Sequence, residues 1–340
     1  MNVVAATIMA MFFMIAPDKA YFRPEEPMTV RFMQSDQATA PKQAEVAGPR
    51  AADVPGLFAK AAAADVVDAG KPLFQVYTYP GGKLLEAKPQ DKADGAGAVD
   101  VAAFYPQVRE GGTYILAWKN ATPLVINTLF NPGYSKADFA KIPPEELKSV
   151  PPEKLKDVEK MFSATVTHIE PLQYAVISTD KGDIKATFAY EASPHTVDNF
   201  IALSKDKFYD GSNFHRVIKG FMIQGGDSTS NIDGRAGSGG PGYQINDEFS
   251  DKLHVRGVLS MAHSGAPNSG GSQFFIMLDA KDYLDHNYAA FGQVIDGMDV
   301  VDKIAQTPVT GTNGAVDGPK PVIKSIRILP ATLEMYGIKK

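Results

Sequence analysis

The feature that most constrains the fold is the run FHRVIKGFMIQGGD at residues 214–227. Read as a strand with a side-chain period of two, it places Phe214, Arg216 and Ile218 on one face. A cation then shares a strand face with large apolar side chains. Such a cation is either half of a structural ion pair or a donor held for function, and this run alone leaves both open.

A second run, SQFFIM at residues 272–277, repeats the pattern. Here Gln273 and Phe275 alternate onto one face, just as Met222 and Gln224 do near the end of the first run. The two runs therefore predict strands that each place a polar donor among apolar side chains.

Three collinear stretches, FHRVIKGFMIQGGD, GVLSMAHSGAPNSGGSQFFIML and YLDHNYAAFGQVIDGMDVV, resemble the bacterial branch of the cyclophilin family of peptidyl-prolyl cis-trans isomerases. The resemblance covers residues 172–329. It implies a mainly β fold, with an antiparallel β-barrel and two helices. It also implies an isomerase that acts on X-Pro bonds of extended or unfolded polypeptides, assists protein folding, and needs no metal or cofactor.

The resemblance further implies the residues of the site. Arg216, Phe221 and Gln224 are expected to be catalytic. The residues expected to bind substrate are His215, Met222, Ala262, His263, Gln273, Phe275, Tyr283, Leu284 and Tyr288. His215 is expected on the opposite strand face from Arg216, so its role in substrate binding is expected to be indirect.

The chemistry of amide rotation explains why an arginine suits this role. At the twisted transition state the prolyl nitrogen recovers its lone pair and accepts a hydrogen bond better than in either planar state. Arg216 stays charged and offers a rigid fork of donors. The alternative from another class is a non-catalytic module that holds Pro-containing partners in the same groove and is localised by its N-terminal domain.

The length of 340 residues predicts about two domains. The expected division is an apolar, signal-like segment at 1–17, a β-sandwich-like domain at 18–131, a Pro-rich helical linker at 132–162, the isomerase domain at 163–330 and a tail at 331–340. The opening of the second segment weakly resembles immunoglobulin-like or macroglobulin-like domains. Within it we expect a loop over 34–70, or a short helix at 61–64, and strands at 99–104, 113–119 and 124–130. Trp118 is expected in the core.

The isomerase domain is expected to open with strands at 174–179 and 184–190. Ser193 and Pro194 predict a helix start, and Val197, Phe200 and Ile201 its apolar face. A second helix is expected at 298–304 and a last strand at 322–328. The order of the residues indicates no Ser/His/Asp arrangement of a hydrolase.

The composition of the chain limits the kinds of partner and ligand that it is expected to bind. The net charge of −5 argues against nucleic acid, and the absence of cysteine excludes thiolate ligands and disulfides. The histidines show no metal-ligand spacing. The apolar run at 3–16 is too short to span a membrane and is expected to export the chain to the periplasm or cell envelope. A buried N-terminal strand or a misplaced start are the alternatives. We expect a monomer without stable membrane insertion.

Overall fold

The computed structural model describes residues 13–23, 26–35, 58–90, 93–128, 167–232 and 234–339. The chain divides into two compact units, Met1–Leu172 with Pro330–Lys340, and Gln173–Leu329. We call these the first and second units. The linker expected at 132–162 lies outside the described residues. Within the described ranges, no helix is both long and apolar enough to cross a membrane.

The described part of the first unit is built from short strands in two larger sheets and a two-stranded pair. The strands are β1 (Phe13–Pro17), β2 (Tyr21–Phe22), β3 (Thr29–Gln34), β4 (Ala59–Lys60), β5 (Val67–Asp68), β6 (Lys71–Pro72), β7 (Gln75–Tyr79), β8 (Ala98–Asp100), β9 (Thr113–Ala117), β10 (Leu124–Asn127) and β11 (Thr167–Pro171). The helices are α1 (Ala63–Val66) and α2 (Val101–Phe104), with 3₁₀ turns at Pro106–Arg109 and Glu334–Tyr336. One sheet has the order β1-β3-β4, with β8 also paired to β3, and the other has the order β2-β11-β10-β9-β7.

The two sheets of the first unit share one apolar core. Phe32 of β3 contacts the ring of Trp118 at 5.0 Å and the ring of Phe74 at 5.0 Å. Trp118 is buried in this core, as the sequence predicted. Two sheets around one core form a sandwich-like arrangement. The likeness to immunoglobulin-like or macroglobulin-like families stays a prediction.

Two local expectations in the first unit are wrong. The loop expected over 34–70 contains β4, α1 and β5 in its described part, and α1 overlaps the alternative of a short helix at 61–64. The strand expected over 99–104 ends at Asp100, because the Asp100 carboxylate accepts the N–H of Ala102 at 3.1 Å and so caps α2.

The expected domain boundaries also differ from those of the two units. Strand β11 pairs with β10 and β2, so it belongs to the first unit and not to the isomerase domain expected from residue 163. The tail belongs to the first unit as well. There the N–H of Ala331 donates to Leu172 at 2.8 Å, and the ring of Tyr336 contacts Tyr79 at 5.6 Å. Neither long-range pairing leaves a signal in the local sequence.

The end of the signal-like segment is part of a sheet. Strand β1 pairs with β3 along its whole length, and Ile15 and Ala16 are buried. For residues 13–17 the structure therefore matches the alternative of a buried N-terminal strand. Residues 1–12 lie outside the described residues.

The second unit continues the strand numbering. Its strands are β12 (Gln173–Thr179), β13 (Gly182–Phe188), β14 (Arg216–Ile218), β15 (Met222–Gly225), β16 (Val258–Met261), β17 (Phe274–Met277), β18 (Ala290–Asp296), β19 (Val309–Thr310), β20 (Ala315–Val316) and β21 (Ile323–Pro330). Its helices are α3 (Pro194–Lys205) and α4 (Met298–Ile304), with a 3₁₀ turn at Asp282–Leu284.

These strands form one antiparallel sheet in the order β19-β20-β14-β15-β17-β16-β18-β13-β12-β21. The segment before β14 bonds to the start of β21, since Gly211 donates to Ile323 at 2.8 Å and Phe214 to Pro321 at 2.9 Å. The strand order that starts at β14 therefore reaches β21 as its eighth strand, and the start of β21 is hydrogen-bonded to the segment before β14. The expected mainly β, cyclophilin-like fold with two helices is confirmed.

Helix α3 packs on this sheet through the predicted apolar face, and Phe200 contacts the ring of Phe274 at 5.3 Å. Its N-terminus is capped from a distance. The Ser193 hydroxyl donates to the carbonyl of Glu248 at 3.1 Å, while the Glu248 carboxylate accepts the N–H of Thr196 at 2.7 Å. This capping fixes the backbone near residue 248 to the helix.

Candidate active site

Strand register lines up the central side chains of the site. Arg216 on β14 faces Gln224 on β15, Gln224 faces Phe275 on β17, and Phe275 faces Ser260 on β16. Directly paired residues of antiparallel strands point to the same side of the sheet. Arg216, Gln224 and Phe275 therefore share one face, as the alternation predicted.

Phe214 departs from the predicted alternation. Its ring is fully buried and contacts Phe274, which points to the other side of β17 from Phe275. The regular strand begins only at Arg216, so the period of two does not extend back to Phe214.

A directed chain of hydrogen bonds crosses this face. The Arg216 Nη1 donates to Gln224 Oε1 at 3.0 Å, and Gln224 Nε2 donates to Gln273 Oε1 at 3.0 Å. Gln273 Nε2 then donates to the carbonyls of Gly237 at 3.0 Å and Gly239 at 2.9 Å. Both N–H bonds of the Gln273 amide are used in this way, so only its oxygen can take a further donor.

A turn between β19 and β20 holds the other side of Arg216. The Nε of Arg216 donates to the carbonyl of Asn313 at 2.9 Å. Among the described residues no partner occupies Nη2, which is left as the donor that can reach a ligand. The turn lies close because Gly314 has no side chain. A Cβ there would lie 2.3 Å from the carbonyl oxygen of Val217.

An apolar cluster lies beside the polar chain. Its buried members are Met222, Val258, Phe275, Met277, Leu284 and Ala290, and its partly buried members are Ile218, Phe221, Ala262 and Tyr288. Six residues expected at the site are thus brought together here. Tyr283 stands at the edge, 59% exposed, with its ring 6.0 Å from that of Phe221.

A pocket of about 330 Å³ opens next to the glutamines, lined in part by Gln224, Gln273 and His263. At its wall the N–H of Ala262 already donates to the carbonyl of Gln273 at 2.8 Å. Among the described residues, the carbonyl of Ala262 and the N–H of His263 have no hydrogen-bond partner. These two backbone groups can therefore pair with an extended peptide.

His215 is not brought to this face. Its side chain is 5% exposed and neither ring nitrogen has a hydrogen-bond partner in the described structure. Burial lowers the pKa of His215, although Asp227 opposes the shift. A Cβ on Gly237 would lie 3.9 Å from Nε2 of His215, so the ring lies beneath the loop near Gly237, and any role in substrate binding is expected to be indirect.

The sequence did not indicate a triad of Ser260, His254 and Asp285, of which the serine and the histidine are buried. The Nδ1 of His254 lies 3.0 Å from Asp285 Oδ1, and Nε2 lies 2.9 Å from Ser260 Oγ. Because a carboxylate only accepts, Nδ1 carries the proton and Nε2 is an acceptor. Ser260 Oγ also lies 3.1 Å from the carbonyl oxygen of Ala289, so its one hydrogen is shared between Nε2 and that carbonyl. The Ser260 side chain is fully buried, so it cannot serve as a nucleophile. The triad instead ties the turn that carries Leu284 to β16.

Asn313 and Gly314 were also missed. Asn313 acts through a backbone carbonyl 97 residues from Arg216, which no residue type announces. The only available signal was the Asn-Gly pair, which predicts a tight turn but not what the turn contacts.

The part of the chain that carries this candidate site is similar to known proteins. The family model "Cyclophilin type peptidyl-prolyl cis-trans isomerase/CLD" matches residues 174–331. The human peptidyl-prolyl cis-trans isomerase-like 3 is 47% identical over 135 residues, which cover 39% of this chain and 82% of the human protein. A peptidyl-prolyl cis-trans isomerase of Synechococcus elongatus is 49% identical over 122 residues, covering 36% and 80% of the two chains.

A crystal structure of a Cryptosporidium parvum cyclophilin type isomerase, solved in the presence of the dipeptide Ala-Pro, is also similar. It shares 34% identity with a TM-score of 0.42 and covers 47% of this chain and 99% of that one. The expected isomerase activity is confirmed by the identities to the curated relatives, whose length this chain mostly covers. The chain belongs to the cyclophilin-type peptidyl-prolyl cis-trans isomerase family.

Proposed function

We propose that the second unit isomerises X-Pro bonds in extended or unfolded polypeptides, with Arg216 as the donor to the prolyl nitrogen. The observation that carries this proposal is the guanidinium held by two hydrogen bonds beside an apolar cluster, with Nη2 left over. Such an activity assists protein folding, because uncatalysed X-Pro exchange takes tens to hundreds of seconds.

The barrier to be lowered is about 18–20 kcal/mol, and it arises from delocalisation of the nitrogen lone pair into the carbonyl. When the bond twists, that lone pair returns to the nitrogen. A donor fixed at this position binds the twisted state more tightly than either planar state, so it accelerates exchange in both directions. Arg216 needs no reorganisation for this, because Asn313 and Gln224 already hold two of its nitrogens.

The apolar cluster supplies the orientation. Phe275, Met222 and Leu284 are buried and offer a floor on which a proline ring can lie. Phe221 and Tyr288 stand partly buried around it. A ring held here leaves only the carbonyl side of the X-Pro bond free to turn.

The backbone of the bound polypeptide has its own partners. The free carbonyl of Ala262 and the N–H of His263 can bond to an extended segment in the manner of an added strand. The Gln273 oxygen can accept from the same segment. Together they hold the chain on one side of the proline while Arg216 acts on the nitrogen.

We also propose that Pro-containing polypeptides are the partners and that nucleic acid and stable membrane insertion play no part. The net charge of −5 supports this, since a nucleic-acid partner would favour a basic patch. A monomer in the periplasm or cell envelope stays our proposal. The absence of cysteine is compatible with an oxidising compartment. Sequencing the N-terminus of the natively produced protein tests export.

The central test measures cis–trans exchange of an Ala-Pro peptide by NMR, with the full chain and its Arg216→Ala and Arg216→Lys variants. Loss of one charge-assisted bond should lower the exchange rate constant at least about tenfold in Arg216→Ala. Arg216→Lys should recover part, because an ammonium lacks the planar fork.

Thermal melts of the same three proteins are the control. They should nearly coincide because the guanidinium has no buried acidic partner among the residues that the structure describes. Normal exchange by Arg216→Ala would contradict the role of Arg216. A wild-type chain that binds the peptide without speeding exchange would instead favour the non-catalytic module.

A further inference from the structure

Aromatic rings continue to the surface of the second unit from the apolar cluster that is proposed to hold the proline ring, and in this subsection that cluster is called the pocket. Phe275 contacts Tyr288 with ring centroids 5.6 Å apart and planes at 81°. Tyr288 stacks on His263 at 4.3 Å and 29°, and His263 contacts Phe249 at 6.2 Å and 45°. We call Tyr288, His263 and Phe249 the aromatic row. These separations lie within the range that favourable aromatic pairs adopt.

Exposure rises along the row. Phe275 is buried, Tyr288 and His263 are half-buried, and Phe249 is 46% exposed. A single exposed apolar side chain is ordinary on a protein surface. This one differs because ring contacts connect it without a gap to the pocket that is proposed to hold the proline.

The middle of the row is fixed. The two ring nitrogens of His263 lie 2.6 Å from the carbonyl oxygen of Ser264 and 2.8 Å from that of Asn287. A neutral imidazole has one N–H and can donate to only one of these carbonyls, and that hydrogen bond limits rotation of the ring away from Tyr288. The face that it shows next to Tyr288 and Phe249 is therefore set before any ligand arrives.

The outer end of the row is also anchored. Glu248, next to Phe249 in the chain, caps helix α3 through the N–H of Thr196. Asp247 and Asn268 exchange two hydrogen bonds, at 2.9 and 2.7 Å, between backbone N–H groups and side-chain oxygens. The exposed ring thus projects from a backbone that is held on its N-terminal side. A surface ordered in advance loses little entropy on binding.

We propose that the aromatic row is a second subsite, which takes an aromatic side chain of the same polypeptide whose proline occupies the pocket. The inference rests on the proposed isomerase function and adds a sequence preference to it. The occupant follows from continuity, because a polypeptide leaving the pocket past Tyr288 runs onto the row. It also follows from chemistry, because a planar apolar ring is the side chain that stacks on such surfaces.

The distances limit where that side chain can stand. The row extends from Tyr288 by ring steps of 4.3 and 6.2 Å. An extended chain advances about 3.3 Å per residue. The aromatic residue is therefore within about three positions of the proline.

The experiment uses the full chain and a set of alanine peptides that each contain one proline. A single phenylalanine is placed at each of the three positions before and after the proline, and kcat/KM for isomerisation is compared with the all-alanine peptide. We expect one position, or two neighbouring ones, to raise kcat/KM about two- to tenfold, as a good aromatic contact allows. Cyclohexylalanine at the same position should give a smaller rise.

The variant Phe249→Ala should bring the ratio of kcat/KM for the phenylalanine peptide to that for the alanine peptide close to one. Phe249→Leu, which keeps an apolar side chain and removes the ring, should lower the ratio as well and serves if the alanine variant folds poorly. Ile295→Ala is the matched control. Ile295 lies on β18, is 41% exposed and is outside the row, so this change should leave the ratio as in the wild type.

The inference is overturned if no position favours phenylalanine, or if Phe249→Ala and Phe249→Leu keep the wild-type ratio. It is also overturned if Ile295→Ala removes the preference as fully as Phe249→Ala does. Failure to accelerate exchange of any peptide would count against the proposed function itself, and the two failures are therefore distinguishable.

Discussion

Gly314→Ala tests whether the turn between β19 and β20 positions the guanidinium of Arg216. The added Cβ would lie 2.3 Å from the carbonyl oxygen of Val217 and 2.7 Å from a side-chain carbon of Ile218. Real Cβ atoms essentially never approach closer than 3.0 Å, so the turn must move away by at least about 0.7 Å. Taken along the bond, this movement stretches the Asn313–Arg216 distance of 2.9 Å to about 3.6 Å, beyond a hydrogen bond.

Loss of a bond to a charged donor is worth about 1.5–3 kcal/mol, or one to two decades of rate at about 1.4 kcal/mol per decade. Gln224 still holds Nη1, so the effect should lie near the lower end. We expect kcat/KM of the full chain on an Ala-Pro peptide to fall about tenfold, mainly through kcat. The fall in kcat should dominate because the role proposed for Arg216 is to bind the twisted state more tightly than the bound ground state.

Gly311→Ala is the matched control in the same turn. Gly311 and Gly314 both have positive φ, at 63° and 75°, but nothing lies within 4 Å of a Cβ at Gly311. Backbone strain is then shared by the two variants and the clash is not. The double variant with Arg216→Ala decides the mechanism. If Gly314→Ala lowers activity tenfold even when Arg216 is absent, the turn does not act through Arg216 and the reasoning is refuted.

Three further outcomes are expected. Gln224→Glu still accepts from Arg216 but cannot donate to Gln273, so exchange on the Ala-Pro peptide should slow about tenfold with little change in melting temperature, and unaltered exchange would contradict the polar chain. Burial lowers the pKa of both His215 and His254, so the unfolded chain binds more protons and the free energy of unfolding should fall as the pH drops below about 6.5. Calorimetry from pH 8 to 5 checks this, and His254→Gln should flatten the slope unless the reasoning is wrong. A chain that ends at residue 330 loses the large buried side chains of Leu333 and Ile338, besides the buried Ala331, and its first unit should be destabilised by about 3–6 kcal/mol, which an unchanged melt would disprove.

The alternation of side chains predicted the core of the site because strand periodicity acts locally. Arg216 and Gln224 each share a face with apolar neighbours on their own strand, and a period of two is visible in a few letters. The same reasoning failed at Phe214. There the chain is not yet in the strand, and the ring follows the interior packing around Phe274.

What the sequence could not show are contacts made by backbone atoms far along the chain. The Asn313 carbonyl and the Glu248 cap of α3 each act over 50 or more residues, and neither follows from the residue type. The unit boundary was missed for the same reason. Strand β11 pairs with β10, and the pairing places residues 167–171 in the first unit even though the family resemblance begins close by.

The direction of the hydrogen bonds explains why the amides of Gln224 and Gln273 lie between Arg216 and the loop that carries Gly237 and Gly239. Arginine can only donate, and the carbonyls of Gly237 and Gly239 can only accept. Any residue between them must accept on one side and donate on the other, which an amide does and a carboxylate or ammonium does not. Because one end of the series can only donate and the other can only accept, each glutamine amide has a single orientation in which all of these hydrogen bonds form. Gln224 Oε1 is thereby turned towards Nη1 and the Asn313 carbonyl accepts from Nε, so that, among the residues the structure describes, Nη2 is the nitrogen left without a partner.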